Sequence, residues 1–84
     1  MTDSLASEED LRHWMREKIA SMLGVPADTI DPDGEFASHG LDSAAAVELL
    51  AELELRLDRE LATTLIWDYP TIRALASELA KPSK

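Results

Sequence analysis

Cysteine is absent from this 84-residue chain, so disulfides and thiolate metal sites are excluded. Aromatic residues are few, with 2 Trp, 1 Tyr and 1 Phe, so any core must be built mainly from Leu, Ile, Val, Met and Ala. Positive charge is scarce as well. Against 8 Lys and Arg stand 17 Asp and Glu, and a net charge of -9 opposes electrostatic binding to nucleic acid or to an anionic membrane. No apolar run approaches the roughly 18 residues of a membrane-spanning helix. Residues Met1-Thr2-Asp3-Ser4-Leu5-Ala6-Ser7 lack the basic and apolar regions of a signal peptide. A soluble cytoplasmic protein whose natural partners carry basic surfaces is the expectation.

A hydrophobic fraction of 45% suffices for one small core. A domain of this size buries only about 60 to 65% of its unfolded surface. Ser7-Glu8-Glu9-Asp10 reads as an N-cap followed by an acidic first turn. Leu11, Met15, Ile19, Met22 and Leu23 then recur at helical spacing, which predicts a helix over 8–23 ended by Gly24. Pro26, Pro32 and Gly34 punctuate a long connection as far as Gly40, with Val25, Ile30, Phe36 and Leu41 as its apolar anchors. A second helix is predicted over 43–57 and a short third one within Thr63–Asp68, stopped by Pro70. The fourth begins near Pro70 or Thr71, with Ile72, Leu75, Ala76 and Leu79 as its core face. The expected fold is all-α: a small four-helix bundle of three longer helices and one short third helix, with a long loop between helices one and two. Residues 8–80 form the expected domain, flanked by a disordered tail over 1–7 and a short one over 81–84. The chain's own Met1 and short tails favour a free-standing protein.

At about 100° per residue the second helix carries two apolar stripes. Ala46, Leu49, Leu50, Leu53 and Leu57 form a core stripe. Nearly opposite lie Ala44, Val47, Ala51 and Leu55, bordered by Glu48 and Glu52 on one side and by Glu54 and Asp58 on the other. Apolar contact between acidic rims suits a docking surface, although a central helix burying both stripes would produce the same pattern. The Leu-rich second helix and Leu65-Ile66-Trp67 are placed to border a narrow apolar cleft, with Trp67 packing the third helix.

Ser43 carries the chemistry. Asp42 is a favoured N-cap, and the helix formers after it put Ser43 in a first turn, beside unpaired N–H groups and the positive end of the helix dipole. That setting tolerates an attached phosphate. A hydrolytic triad of His39, Asp42 and Ser43 is a poor reading, because no Gly-x-Ser-x-Gly surrounds the Ser and Asp42 is better used as a cap. His39 is expected to be a solvated loop residue. Asp31-Pro32-Asp33-Gly34 has the look of a calcium loop, but aligning Gly34 with the motif's glycine puts Thr29 and Gly40 where acidic ligands are required.

The run Gly40-Leu41-Asp42-Ser43-Ala44-Ala45-Ala46-Val47-Glu48-Leu49 resembles the phosphopantetheine attachment segment of acyl carrier proteins. Leu65-Ile66-Trp67-Asp68-Tyr69-Pro70-Thr71-Ile72 resembles the segment between the last two helices of carrier domains from polyketide synthases, and Leu23-Gly24-Val25 the end of the family's first helix. The resemblance implies a non-enzymatic carrier in polyketide or related biosynthesis. Its Ser43 would receive 4′-phosphopantetheine from coenzyme A and carry acyl groups as thioesters. It also implies a partner surface of Leu41, Asp42, Ala44, Val47, Glu48, Ala51, Glu52 and Leu55. The implied partners are a phosphopantetheinyl transferase and an acyl-loading enzyme, ketosynthase or other assembly-line enzyme, each meeting a monomeric carrier. Ala44 departs from the Leu that most of the family has after the modified Ser. The alternatives are a peptidyl or aminoacyl carrier of a nonribosomal peptide system, and an acidic helical adaptor that is never modified.

Overall fold

The structure, a computed structural model, describes residues 7–81, so of the predicted tails over 1–7 and 81–84 all but Ser7, which caps the first helix, and Lys81 lie outside the described residues. Four α-helices carry the fold: α1 over Glu8–Leu23, α2 over Ser43–Leu57, α3 over Leu65–Asp68 and α4 over Ile72–Leu79. Three of them start on the side-chain caps their sequences call for. Ser7 Oγ accepts from the Asp10 N–H at 3.1 Å, Asp42 Oδ1 from the Ala45 N–H at 2.9 Å and Thr71 Oγ1 from the Ala74 N–H at 3.1 Å. The third helix is shorter than its predicted span, since residues 63 and 64 form a turn ahead of it.

The core is one cluster. Leu11, Met15 and Ile19 of α1 meet Leu49 and Leu53 of α2 and Ile72 and Leu75 of α4, all almost fully buried. Ala20 joins them, whereas Met22 is only half-buried. A fully buried aliphatic side chain stabilises a fold by about 1.5 to 3 kcal/mol in transfer terms, so this cluster is the main force opposing chain entropy. Trp14 of α1, packed against this cluster, takes the Arg56 guanidinium over its ring at 5.5 Å, which ties α1 to the end of α2.

The long connection, expected to be plain loop, contains two short 3₁₀ helices, Ala27–Thr29 and Phe36–His39, each too short to leave a sequence period. Ile30, Phe36 and Leu41 are buried as anchors, but Val25 is not and stands 39% exposed. The cause is Gly24, whose left-handed φ of 71° closes α1 and directs the Val25 N–H back to the Ala20 carbonyl at 3.0 Å, leaving its side chain outside. Arg16 Nε donates to the carbonyls of Ala27 at 3.1 Å and Ile30 at 3.2 Å. Farther along, the Phe36 N–H reaches the Pro70 carbonyl at 2.8 Å, Glu35 and Thr71 form an antiparallel bridge, and the Arg73 N–H bonds the Pro32 carbonyl at 3.0 Å. The segment leading into α2 is thus stitched to the start of α4. Among the described residues no helix is long and apolar enough to cross a membrane, and no group of His, Asp or Glu side chains is arranged to hold a metal ion.

Candidate functional site around Ser43

Gly40 sets the approach to α2. Its φ of 96° is a left-handed conformation that a side chain would strain, and it turns the chain so that Leu41 enters the core and Asp42 comes out extended. Leu41, expected both as an anchor and as a partner contact, is 7% exposed and takes the anchor's place in the core. Asp42 then commits its carboxylate to the Ala45 N–H and its carbonyl to the Ala46 N–H at 2.9 Å. Ser43 follows, exposed at the first position of the helix. Its side chain makes no hydrogen bond among the described residues, and the N–H groups of Ser43 and Ala44 are likewise unbonded. A free hydroxyl beside open N–H donors at the positive end of a 15-residue helix fits a phosphodiester.

The same geometry removes the triad. His39 is not a solvated loop residue: it lies half-buried in the second 3₁₀ helix and donates from Nε2 to the Asp31 carbonyl at 3.2 Å. Both of the Ser43 hydroxyl's would-be partners are therefore otherwise engaged, Asp42 as a cap and His39 in bracing the turn at Asp31.

Along α2 the expected strip is exposed. Ala44, Val47 and Ala51 face solvent, and Leu55 is 79% exposed. Glu48 is exposed, and Glu52 lies 3.9 Å from Lys18 on α1. The other rim differs from expectation. Glu54 Oε2 accepts the Leu61 N–H at 2.8 Å and so closes the chain reversal after α2, while Asp58 is the helix C-cap in a left-handed conformation with φ 56°. Glu54 is a structural acceptor, not a free rim charge.

A cleft of about 120 Å³ opens next to the attachment end of α2, between the second 3₁₀ helix and α3. Ala46, Ile66 and Trp67 line it, with Phe36 and Leu41 behind and Asp42 at its edge. The cleft expected from the Leu-rich helix and Leu65-Ile66-Trp67 is only partly matched: Ile66 and Trp67 line it, but Leu65 and the α2 leucines do not, and Ala46 is the one apolar side chain α2 contributes. Trp67 corrects the expectation: it stands 64% exposed at the mouth and does not pack α3, because Ile66 already fills the inward position of so short a helix.

Residues 13–79 match the family described as the phosphopantetheine attachment site. The chain is 42% identical over 82 residues to a phenolphthiocerol/phthiocerol polyketide synthase of Mycobacterium tuberculosis, a match covering 98% of this chain and 4% of that protein. This chain thus spans only a small fraction of its relative's length. In structure it resembles a free-standing peptidyl carrier protein from Acinetobacter baumannii, with TM-score 0.83, 42% identity and coverage of 88% of this chain and 92% of that one. It also resembles an acyl carrier protein from Anabaena sp. PCC 7120 with a variant phosphopantetheinylation-site sequence, with TM-score 0.86, 40% identity and coverage of 95% and 91%. The chain belongs to the phosphopantetheine attachment family: it is an acyl carrier domain, not an enzyme, and its cofactor is 4′-phosphopantetheine.

Proposed function

We propose that Ser43 is the attachment residue and that residues 8–80 form the carrier unit of a polyketide or related assembly line, acting as a monomer in the cytoplasm. The observation that carries this reading is the unbonded, exposed Ser43 hydroxyl set behind the Asp42 cap at the start of α2. On a phosphopantetheinyl transferase the Ser43 oxygen forms the new bond to phosphorus. Adenosine 3′,5′-bisphosphate of coenzyme A departs, and the hydroxyl proton goes to a base on the transferase. The open N–H groups of α2 help hold the resulting phosphodiester. When bound, the arm supplies the thiol that this cysteine-free chain lacks, on which acyl groups ride as thioesters. Partner enzymes, among them an acyl-loading enzyme and a ketosynthase with basic docking surfaces, meet Ala44, Val47, Ala51 and Leu55 and are steered by Glu48 and Glu52.

The polyketide assignment is supported by the mycobacterial synthase relative and by the Asp68-Tyr69-Pro70-Thr71 segment. A peptidyl carrier is the second reading, favoured by the Acinetobacter neighbour. Intact mass after incubation with coenzyme A and a broad-specificity transferase tests attachment. One added arm, mapped to Ser43 by peptide fragmentation, is expected; no added mass with several transferases would favour the unmodified adaptor. Subsequent loading by a malonyl-specific acyltransferase, and not by an aminoacyl-adenylating enzyme, separates the two carrier classes.

A further inference from the structure

We propose that the cleft beside Asp42 seats the branched pantoyl portion of the arm, nearest the attachment point, and that the exposed Trp67 indole is the positioning residue that covers it. This rests on Ser43 being the attachment residue. Three observations lead there. The cleft borders Asp42, the residue next to Ser43, so whatever enters it most readily is joined to the protein through only a few bonds. A short tether raises effective concentration, whereas the acyl group sits at the far end of the arm and must fold back over its whole length.

Size is the second. An apolar cavity of about 150 Å³ holds a six-carbon ring, so 120 Å³ suits a compact group of about five carbons. The pantoyl quaternary carbon, its two methyls and its two flanking carbons match that. Charge is the third. Glu35 and Asp42 edge the cleft, which favours a neutral occupant over a carboxylated acyl group. Trp67 stands 64% exposed over this mouth, and covering it with two methyl groups would remove apolar surface from water that the protein alone leaves exposed.

The test uses the full chain, isotope-labelled, in apo, holo and butyryl-loaded forms, with modification of Ser43 confirmed by mass. The indole N–H signal of Trp67 is assigned by its loss in Trp67→Phe. Conversion of apo to holo should shift that signal and the amides of Leu41 and Ile66, with Overhauser contacts from the pantoyl methyls to the indole ring and little further change on butyrylation. Holo Trp67→Ala should remain folded and fully modified yet lose the methyl contacts. Holo protein prepared from a coenzyme A analogue lacking the two methyls should show no Trp67 shift. An unshifted Trp67 in confirmed holo protein overturns the proposal, as does a shift that arises only on butyrylation, which would assign the cleft to the acyl group. Absence of added mass on Ser43 overturns the attachment reading itself, and this inference with it.

Discussion

The loop between α1 and α2 and the outer face of α2 adjoin in sequence and are built in opposite ways. The loop is irregular, yet Arg16, Pro70 and Arg73 hold its backbone and Ile30, Phe36 and Leu41 sink into the core. The outer face of α2 is regular, yet Ala44, Val47, Ala51 and Leu55 are left in solvent. Regularity supplies the backbone hydrogen bonds that a helix needs without tertiary help, so α2 keeps a bare face at little cost. A long irregular segment has no such internal supply and wanders unless it is tied. Tying it matters because its last residues aim Asp42 and Ser43. Rigid delivery on one side and an exposed surface on the other are what the proposed role of Ser43 needs.

The sharpest break in this comparison is Ser43→Ala. Ser43 neither caps α2 nor packs in the core, so the variant should fold as wild type and accept no phosphopantetheine at all, read by intact mass and circular dichroism. Detection of the arm on any other Ser would move the functional end of the molecule away from α2.

Next in size come paired truncations of the two faces of α2. Leu49→Ala removes a fully buried side chain and should lower stability by about 2 to 5 kcal/mol, a large share of what a domain of this size possesses. Leu55→Ala should change stability by no more than about 0.5 kcal/mol in the same urea titration. Phe36→Ala, in the loop, should behave like Leu49→Ala and not like Leu55→Ala, at about 3 to 5 kcal/mol. A small loss at Phe36 would show that the loop is held by its backbone bonds alone.

Charge reversal probes the bare face more gently. Glu48→Lys with Glu52→Lys should slow transfer from the phosphopantetheinyl transferase several-fold at low salt, with the difference shrinking as salt rises. The lost Glu52–Lys18 pair is half-exposed and long at 3.9 Å, and should cost at most about 1 kcal/mol, so helicity is expected to be unchanged. Unaltered kinetics would shift the docking surface to the loop. Glu54→Ala serves as the contrast: it strands the Leu61 N–H and should cost about 1 to 3 kcal/mol of stability with little effect on transfer.

Glu54 also shows where sequence reading stops. Helix spans, the three side-chain caps, the core stripes and the position of Ser43 follow from local propensity and periodicity, which act within a few residues. By periodicity Glu54 is one more charge on a helix face, because its partner is brought back by the left-handed turn at Asp58, which no period reveals. Hydrophobicity alone places Trp67 and Val25 inside. Their exposure is decided by what already fills the neighbouring space, Ile66 in one case and the Gly24 turn in the other. His39 departs from expectation for the same kind of reason, since the carbonyl it meets is set by the fold of the loop around Gly34.

The smallest expected effect concerns a side-chain clasp between the loop and α4. Asp33 and Arg73 meet through a two-pronged contact whose second bond, Nη2 to Oδ2, is 3.3 Å. The hydrogen bond from Arg73 holds the Asp33 carboxyl below its usual range, against an opposing effect of desolvation and with help from the charges of Arg73 and Arg12. A carboxylate lowered in the folded state stabilises it in full above the unfolded value of about 4 and ceases to do so as pH falls through the folded one. The difference in melting temperature between wild type and Asp33→Asn should therefore be constant from neutral pH down to about 5 and close below about 4. Both groups are exposed, so the difference should be small and should fade with salt. The turn in which the residue-33 N–H bonds Asp31 Oδ1 at 2.9 Å is kept by Asn, so a difference that persists unchanged in strong salt and at acid pH would mean that the Asp33 side chain holds Arg73 without help from its charge.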